Sequence, residues 1–274
     1  MKKNKFLFCI GLLLTVATIV NAQSVTWISS TEGNVWQKSK VKLQSKSEQN
    51  PVLQVDGTEN GVAFKNWGTT FNELCWDALG LLTRTEQDEI LYNIFSPQGD
   101  LRITRGRISM GANDYARSWY SCDEVEGDFE LRYFNINRDK QTIIPFIRAA
   151  QKYNPNLTFW ISPWCPPSWM KINGDYPVLS SPFNSLSEKQ NYLLYGATGG
   201  QVDENEMKLT GARDGVFPRQ LATTDFMIQD PRYLQTYADY FCRFIDAYKE
   251  QGIPIDMVMY QNEAYSYTPY PGCA

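Results

Sequence analysis

The stretch that decides the fold is Ile255–Glu263, which reads IDMVMYQNE. Its first five residues are mostly apolar and include the β-branched Ile255 and Val258, a pattern that predicts a buried strand. The stretch then becomes polar, with Asn262 and Glu263 at its C-terminal end. In parallel α/β proteins the functional side chains gather at that end of the strands, so Glu263 is the first candidate for acid–base chemistry. A solvated loop acid would give the same local pattern.

Strands and helices alternate through the chain that precedes this stretch. We predict four strands, at about residues 62–67, 101–108, 157–162 and 255–261. We predict helices over Phe71–Leu79, after a capping box at Thr85–Asp88, over Asp139–Tyr153, and from Asp230 to Gly252. The alternation is typical of a parallel α/β sheet. A (β/α)8 TIM barrel has eight strands in about 250 residues, so the prediction is a partial barrel that comprises about strands one to four.

The domain boundaries follow from shifts in composition. Residues 1–22 are assigned to a signal peptide, residues 23–56 to an N-terminal β-element of a side β-domain, and residues 57–274 to the barrel half. A long polar segment at about 173–226, with Gly and Ser but no clean period, is predicted to be an insertion. Loops of that length in a compact domain are usually functional or mobile.

The N-terminus is typical of a secretory signal peptide. Three lysines among the first five residues precede an apolar run of 15 residues, Phe6–Val20, and a small residue, Ala22, follows. The run is shorter than the roughly 20 residues that span a bilayer. We therefore predict a secreted or periplasmic protein with no stable membrane span.

Composition excludes several classes of site. The chain has no histidine, which excludes histidine-based triads and most catalytic zinc centres. Five widely spaced cysteines remain once Cys9 is cleaved off, without a Cys-x-x-Cys pair, so neither a zinc site nor a disulfide framework is predicted. We expect no cofactor and no metal. Residues 23–274 carry 23 basic and 30 acidic residues without a block of like charge, which argues against a nucleic-acid partner.

Aromatic residues favour a carbohydrate ligand, although a large ordinary core has a similar content. The chain contains 8 Trp, 16 Tyr and 14 Phe, and such rings pack well on the apolar faces of sugars. Around Glu263, an amide precedes the carboxyl group and three tyrosines follow it, at Tyr265, Tyr267 and Tyr270. This arrangement suits proton transfer to a sugar oxygen.

Three motifs carry a family resemblance. They are RISMGANDY at residues 107–115, SPWCPPSWMK at residues 162–171 and QNE at residues 261–263; GTTFNE at residues 68–73 is a modified form of a fourth. Together they resemble glycoside hydrolase family 30, which includes glucosylceramidases and endo-β-1,6-glucanases. The resemblance covers about residues 60–274, and the second motif is its specific part.

The resemblance implies a fold, a reaction and roles for five residues. Members of the family are retaining β-glycosidases built on a (β/α)8 barrel with an attached β-domain. Their substrates are carbohydrates or glycolipids, which implies a role in carbohydrate or sphingolipid metabolism. Glu263 matches the general acid/base at the end of strand four, and Asn262 matches the asparagine that contacts the sugar there. Arg107, Asp114 and Trp164 match residues that line the subsite of the non-reducing sugar.

The family nucleophile is a second glutamate at the end of strand seven, which four strands do not reach. The resemblance therefore implies that this chain lacks the nucleophile half, that its partner is the missing C-terminal half of the same barrel, and that it is inactive alone. One alternative is a non-catalytic sugar-binding remnant of such an enzyme. Another is a fragment without a stable fold.

Simpler interpretations of the same side chains stay open. Arg107 and Asp114 would also suit an internal ion pair between two loops, because charged groups are seldom buried unpaired. Trp164 would also suit the core. Cys165 would need a base to act as a nucleophile, and none is evident beside it, so we expect it to pack.

We expect the mature N-terminus to be Gln23, because cleavage should follow the small residue Ala22 after the apolar run. Mass spectrometry of the N-terminal peptide, after expression of the full chain in an exporting host, measures this. A cytoplasmic product that retains Met1 would contradict the prediction.

Overall fold

The computed structural model describes residues 24–42, 61–178, 180–186, 226–264 and 269–273. The chain divides into two compact units between Ala63 and Phe64. The predicted signal peptide and residues 187–225 of the predicted insertion lie outside the described residues. Within the described ranges, no helix is both long enough and apolar enough to cross a membrane.

A β-hairpin lies in the first unit, within the segment predicted to be a β-element. Strand β1 (Ser24–Thr31) pairs antiparallel with strand β2 (Asn34–Lys42). Gly33 in the turn between them has a φ of 76°. Glycine adopts this left-handed conformation without steric cost, whereas a side chain would be strained there.

A four-stranded parallel sheet forms the base of the second unit. Its strands are β3 (Gly68–Phe71), β4 (Arg105–Ser109), β5 (Thr158–Ser162) and β6 (Ile255–Val258). Their order in the sheet is the same as their order in the chain, and each neighbouring pair is parallel. The predicted parallel α/β architecture is confirmed.

The first strand lies later in the chain than predicted. Val62 and Phe64, predicted to be strand residues, are 95% and 70% exposed and lie outside any strand, whereas β3 begins at Gly68. The sequence of β3, GTTF, contains one large apolar side chain, so hydrophobicity alone favours the wrong segment. Strand β6 ends at Val258 rather than at residue 261, and it is more exposed than predicted because it lies at the edge of the described sheet.

Helices connect the strands. The described residues contain α1 (Glu73–Gly80), α2 (Arg84–Phe95), α3 (Ile143–Gln151) and α4 (Pro231–Glu250), with short 3-10 helices at Asp139–Gln141 and Ser168–Met170. Asp230 caps α4, as its sequence predicts: its carboxylate accepts the amide of Arg232 at 2.8 Å.

Two helix starts differ from the predictions. The capping box of α2 is formed by Thr83 and Glu86 rather than by Thr85. The amide of Thr83 donates to the Glu86 carboxylate at 2.8 Å, and the Thr83 hydroxyl accepts the Glu86 amide at 3.4 Å. The predicted helix at 139–153 is interrupted at Thr142, which has a φ of −129°. Pro145 then lies in the first turn of α3, where its missing amide donor costs nothing.

Four phenylalanine rings form the centre of the core. Phe71 lies 5.6 Å from Phe95, 4.7 Å from Phe146 and 5.9 Å from Phe159 between ring centroids. Gly106 of β4 lies against these rings, because a Cβ atom there would come within 2.5 Å of the Phe71 ring. Burial of each ring contributes about 1.5–3 kcal/mol, so a side chain at Gly106 would disrupt this packing.

Two buried carboxyl groups join the loops to the helices. Glu73, at the start of α1, accepts a hydrogen bond from Nη2 of Arg138 at 2.6 Å. Asp139 accepts the hydroxyl groups of Tyr120 and Tyr248, each at 2.6 Å. Burial raises the pKa of Asp139 to about 6, although the two hydroxyl donors act to lower it.

The substitution Tyr248→Phe is expected to cost more stability at about pH 7.5 than at about pH 5. Because the folded-state pKa of Asp139 lies above the unfolded value of 3.8, its contribution to stability is largest below that value and is lost as the pH rises through about 6. Removing a donor raises this pKa further and leaves the ionised carboxylate under-bonded, at a cost of about 1–3 kcal/mol.

Urea unfolding at the two pH values measures this effect. Tyr92→Phe serves as the matched control, since Tyr92 lies on α2 and is 41% exposed. Equal destabilisation by Tyr248→Phe at both pH values would show that ionisation of Asp139 does not depend on the Tyr248 hydroxyl.

Candidate active site

Side chains from three neighbouring strands meet at Arg107 of β4. Its Nη2 atom donates to Oδ1 of Asn262 at 2.5 Å and to Oγ of Ser162 at 3.1 Å. Ser162 is the last residue of β5, and Asn262 follows β6. Since the carboxyl ends of parallel strands lie at one edge of the sheet, positions far apart in the sequence come together there.

Two tryptophan rings contact the guanidinium group of Arg107. Its Cζ atom lies 4.2 Å from the ring centroid of Trp164 and 5.1 Å from that of Trp160, within the range of cation–π attraction. Burial lowers the pKa of Arg107, whereas the charges of Asp114 and Glu263 raise it. Because a guanidinium does not lose its proton in a protein, Arg107 is a fixed positive charge in the site.

The loop after β5 holds the segment after β6. The amide of Asn262 donates to the carbonyl of Pro163 at 2.8 Å, and Nε2 of Gln261 donates to the carbonyl of Trp164 at 2.5 Å. Glu263 has a φ of 47°, in the left-handed region that residues other than glycine rarely adopt. Backbone strain of this kind clusters at functional sites, which favours a functional Glu263 over a simple loop acid.

A bulge in β6 precedes this segment. The pairing of β5 with β6 shifts by one residue between Phe159 and Trp160, which makes Asp256 the extra residue of β6. The Asp256 carboxylate accepts a hydrogen bond from Nη2 of Arg105 at 2.5 Å. Bulges bend a strand and redirect its side chains, often next to active sites. This one changes the register of β6 five residues before Gln261.

Asp114, in the loop after β4, is the second carboxyl group of the site. Burial raises its pKa, a hydrogen bond with Trp164 lowers it, the charge of Glu263 raises it and that of Arg107 lowers it. The net shift is upward. Asp114 therefore keeps its proton to a higher pH than an exposed aspartate would.

A depression of about 30 Å³ lies between the two carboxyl groups. It is lined by Asp114, Trp164, Asn262 and Glu263, and by the segment Tyr270–Gly272. This space holds about one or two water-sized atoms. An oxygen atom of a ligand bound there would lie next to a carboxyl group, which is the geometry that proton transfer requires.

The five residues predicted from the motifs therefore lie together at one edge of the sheet. The hydrogen bonds of Arg107 go to Asn262 and Ser162, while Asp114 acts on it through charge, so a simple internal ion pair does not describe it. Trp164 is buried, as a core residue would be, and it also lines the depression. The catalytic and binding roles of these residues stay predictions.

Cys165 packs rather than reacts. Burial raises the pKa of its thiol to about 12, and a thiol that holds its proton is a poor nucleophile.

The sequence does not predict two contributions to the site. From the sequence, Ser162 is only the last residue of a strand, although its place just before the Pro-Trp pair is a signal that identifies it. Of the segment Tyr270–Gly272, only the aromatic ring of Tyr270 is a candidate from the sequence. This segment contacts the site because it lies against the depression in the tertiary structure, and no local sequence pattern predicts that position.

Comparisons with known proteins agree with the motifs. Residues 64–181 match the sequence model of the glycosyl hydrolase family 30 TIM-barrel domain. The chain is 27% identical over 250 residues to putative glucosylceramidase 4 of Caenorhabditis elegans, across 90% of this chain and 40% of that protein. It is 26% identical over 231 residues to endo-1,6-β-D-glucanase neg1 of Aspergillus fumigatus, across 82% of this chain and 40% of that protein.

A solved structure supports the fold. The structure of an endo-β1,6-glucanase superposes with a TM-score of 0.60 at 22% identity, and the match covers 91% of this chain and 45% of that one. The chain thus spans less than half of the length of these relatives. The resemblance to glycoside hydrolase family 30 is confirmed. The matched domain segment includes Arg107, Asp114 and Trp164, whereas Asn262 and Glu263 follow it in the chain.

The substitution Glu263→Gln is expected to lower the pKa of Asp114. The charge of Glu263 is one of the causes that raise this pKa, and the amide removes that charge while keeping the shape of the side chain. Titration of the Asp114 carboxyl carbon by NMR measures the change. Glu130→Gln is the matched control, because Glu130 is 70% exposed and pairs with Arg132. An unchanged or higher pKa of Asp114 in Glu263→Gln would show that the two groups do not interact.

Proposed function

We propose that this chain, which is related to glycoside hydrolase family 30, carries the acid–base side of the active site of a retaining β-glycoside hydrolase. The observation that supports this best is the hydrogen bond of 2.5 Å between Arg107 and Asn262. Through it, the Asn-Glu pair after β6 lies next to Asp114 and Trp164 from two other loops. Motifs separated by some 150 residues thus form one surface.

Glu263 is the general acid and then the general base. Its carboxyl group protonates the glycosidic oxygen as the bond from that oxygen to the anomeric carbon breaks, and a second carboxylate forms a bond to the same carbon. The Glu263 carboxylate then takes a proton from water, whose oxygen attacks the anomeric carbon and releases the second carboxylate. The strained backbone of Glu263 and its position at the depression suit this role.

The neighbouring residues orient the sugar. Oδ1 of Asn262 accepts a hydrogen bond from Arg107, which leaves the amide nitrogen of Asn262 to donate to a sugar hydroxyl. Asp114 lines the same depression and accepts hydroxyl donors when it is ionised. Trp164 supplies the apolar wall, and its ring is held by the cation of Arg107.

The proposed barrel, nucleophile and substrate come from the resemblance to glycoside hydrolase family 30. The sheet β3–β6 would be the first half of a (β/α)8 barrel, and the missing C-terminal half would supply the nucleophile, about 5–5.5 Å from the Glu263 carboxyl group. The substrate would be a β-glucoside in a glycan or a glycolipid, since relatives are named glucosylceramidase and endo-1,6-β-glucanase. The basic start and apolar run of residues 1–22 would direct export.

A non-catalytic sugar-binding protein is the second candidate. The contacts among Arg107, Trp164 and Asn262 form a preassembled polar and aromatic surface. Such a surface binds a sugar without any need for a second carboxylate.

The test uses protein that also contains the C-terminal half of the barrel, because this chain alone is expected to lack the nucleophile. Two β-glucosides are compared, one with an aryl leaving group and one with an alkyl leaving group. Glu263→Gln is expected to slow hydrolysis of the alkyl glucoside by about 10²–10⁴-fold, because its leaving oxygen needs a proton. The aryl glucoside should be affected less in the first step. Glu130→Gln is the control for the loss of an exposed acid.

Binding of a gluco-configured iminosugar, measured by calorimetry, separates the two candidates. Binding that is lost in Arg107→Met, together with no turnover of either glucoside by the protein that contains both halves, would favour the sugar-binding protein. If this wild-type chain binds no iminosugar and the protein with both halves turns over neither glucoside, both candidates are contradicted.

A further inference from the structure

A buried lysine with no role in the reaction described above lies next to the site. Lys171 is 0% exposed, and its Nζ atom donates to three backbone carbonyl oxygens. The distances are 2.6 Å to Tyr176, 3.0 Å to Pro177 and 2.8 Å to Gly272. Burial of an ammonium group costs free energy unless its hydrogen bonds are satisfied. A buried lysine held in this way therefore indicates a specific role.

The three acceptors match the protonated form of the amine. An ammonium group has three N–H donors, and each of the three carbonyl groups uses one. A neutral amine has two donors and would leave one of these carbonyl groups unbonded. Burial lowers the pKa of Lys171, whereas nearby groups including Asp175 raise it. The donor count thus favours a charged Lys171 that is held by backbone dipoles.

Lys171 joins two chain segments that are about 100 residues apart. The first is the loop at Tyr176 and Pro177, which follows β5. The second is residues 269–273, which follow β6. The amide of Gly272 donates to the Tyr176 carbonyl at 3.1 Å, and Pro177 pairs with Pro271 in an isolated bridge. The Lys171 ammonium bonds to both sides of this junction.

A third chain segment, at residues 226–228, fixes the backbone around Lys171. Lys171 pairs with Met227 in an antiparallel bridge. The amide of Ile172 donates to the carbonyl of Phe226 at 2.8 Å, and the amide of Ile228 donates to the carbonyl of Met170 at 3.0 Å. The backbone of Lys171 is therefore fixed before its side chain reaches the junction.

One side of that junction is a wall of the candidate active site. Residues Tyr270–Gly272 line the depression that also contains Asp114 and Glu263. Since the Gly272 carbonyl is bonded to Lys171, the position of this wall depends on the ammonium group.

We propose that Lys171 is a positioning residue, whose ammonium group clamps residues 269–273 to the loop at Tyr176–Pro177 and so holds the Tyr270–Gly272 wall in place for sugar binding. This inference rests on the proposed function. Lys171 does not contact the sugar, and it acts through the wall.

The test compares Lys171→Met, which keeps an unbranched apolar stem of similar length but removes the ammonium group, with Lys171→Arg, which keeps the charge. Hydrogen exchange by mass spectrometry is expected to show faster exchange at residues 269–273 in Lys171→Met. The affinity for the gluco-configured iminosugar should fall by about 10-fold to 100-fold, in line with the loss of hydrogen bonds to a charged group. Lys171→Arg should recover part of both effects. Lys140→Met, at an exposed lysine, is the matched control.

A double-mutant cycle distinguishes positioning from a merely structural role. Tyr270→Ala removes a wall side chain without touching the clamp, and most of the affinity loss caused by Lys171→Met should disappear in the Tyr270→Ala background. Additive losses, or unchanged exchange at residues 269–273 in Lys171→Met, would overturn the inference. If Lys171→Met does not fold, Lys171→Gln, which also removes the charge, replaces it in the cycle and the same two outcomes decide.

The two proposals fail in different ways. If the wild-type chain binds no iminosugar and the protein with both halves turns over neither glucoside, the proposed function is wrong, and exchange at residues 269–273 still decides whether Lys171 is a clamp. If the wild-type chain binds the iminosugar and the exchange is unchanged, the clamp alone is wrong.

Discussion

The site depends on one half-buried guanidinium group. Arg107 lies near the ends of β4, β5 and β6, where its Nη2 atom donates to Asn262 and Ser162 and its guanidinium contacts the face of Trp164. A cation removed from water is stable only when such partners surround it. The partners stabilise the charge of Arg107, and Arg107 in turn holds the ends of the three strands together.

Buried ionisable side chains also join several loops to the rest of the second unit. Glu73 accepts a hydrogen bond from Arg138, and Asp139 accepts two tyrosine hydroxyls. Lys171 donates to three carbonyl groups. The apolar core around Phe71 supplies the bulk of the burial, but apolar contacts are not directional. Hydrogen bonds to buried charges are directional, and removing one partner is costly. These directional hydrogen bonds hold the loops in one arrangement, which is what a preorganised site requires.

The two carboxyl groups of the depression interact through charge. Both residues are exposed; partial desolvation and the charge of Glu263 raise the pKa of Asp114, and Glu263 lies on a strained backbone. Both charges raise the pKa of Arg107, and the charge of Glu263 also raises the pKa of Asp114, so the electrostatics of the depression depend on all three residues.

The sequence alone was enough to predict the sheet type and to name the candidate residues of the site. The alternation of apolar runs with helical stripes is enough to predict a parallel α/β sheet, and the motifs are enough to identify Arg107, Asp114, Trp164, Asn262 and Glu263, because side-chain types and strand ends are local properties. Tertiary structure decided the rest. The first strand lies at Gly68–Phe71 because pairing with β4, and not hydrophobicity, selects it. Ser162, Lys171 and the wall at Tyr270–Gly272 join the site through contacts across 55 to 101 residues. No local pattern encodes such contacts, because they exist only once the strand ends have been brought to one edge and the buried charges have found their partners.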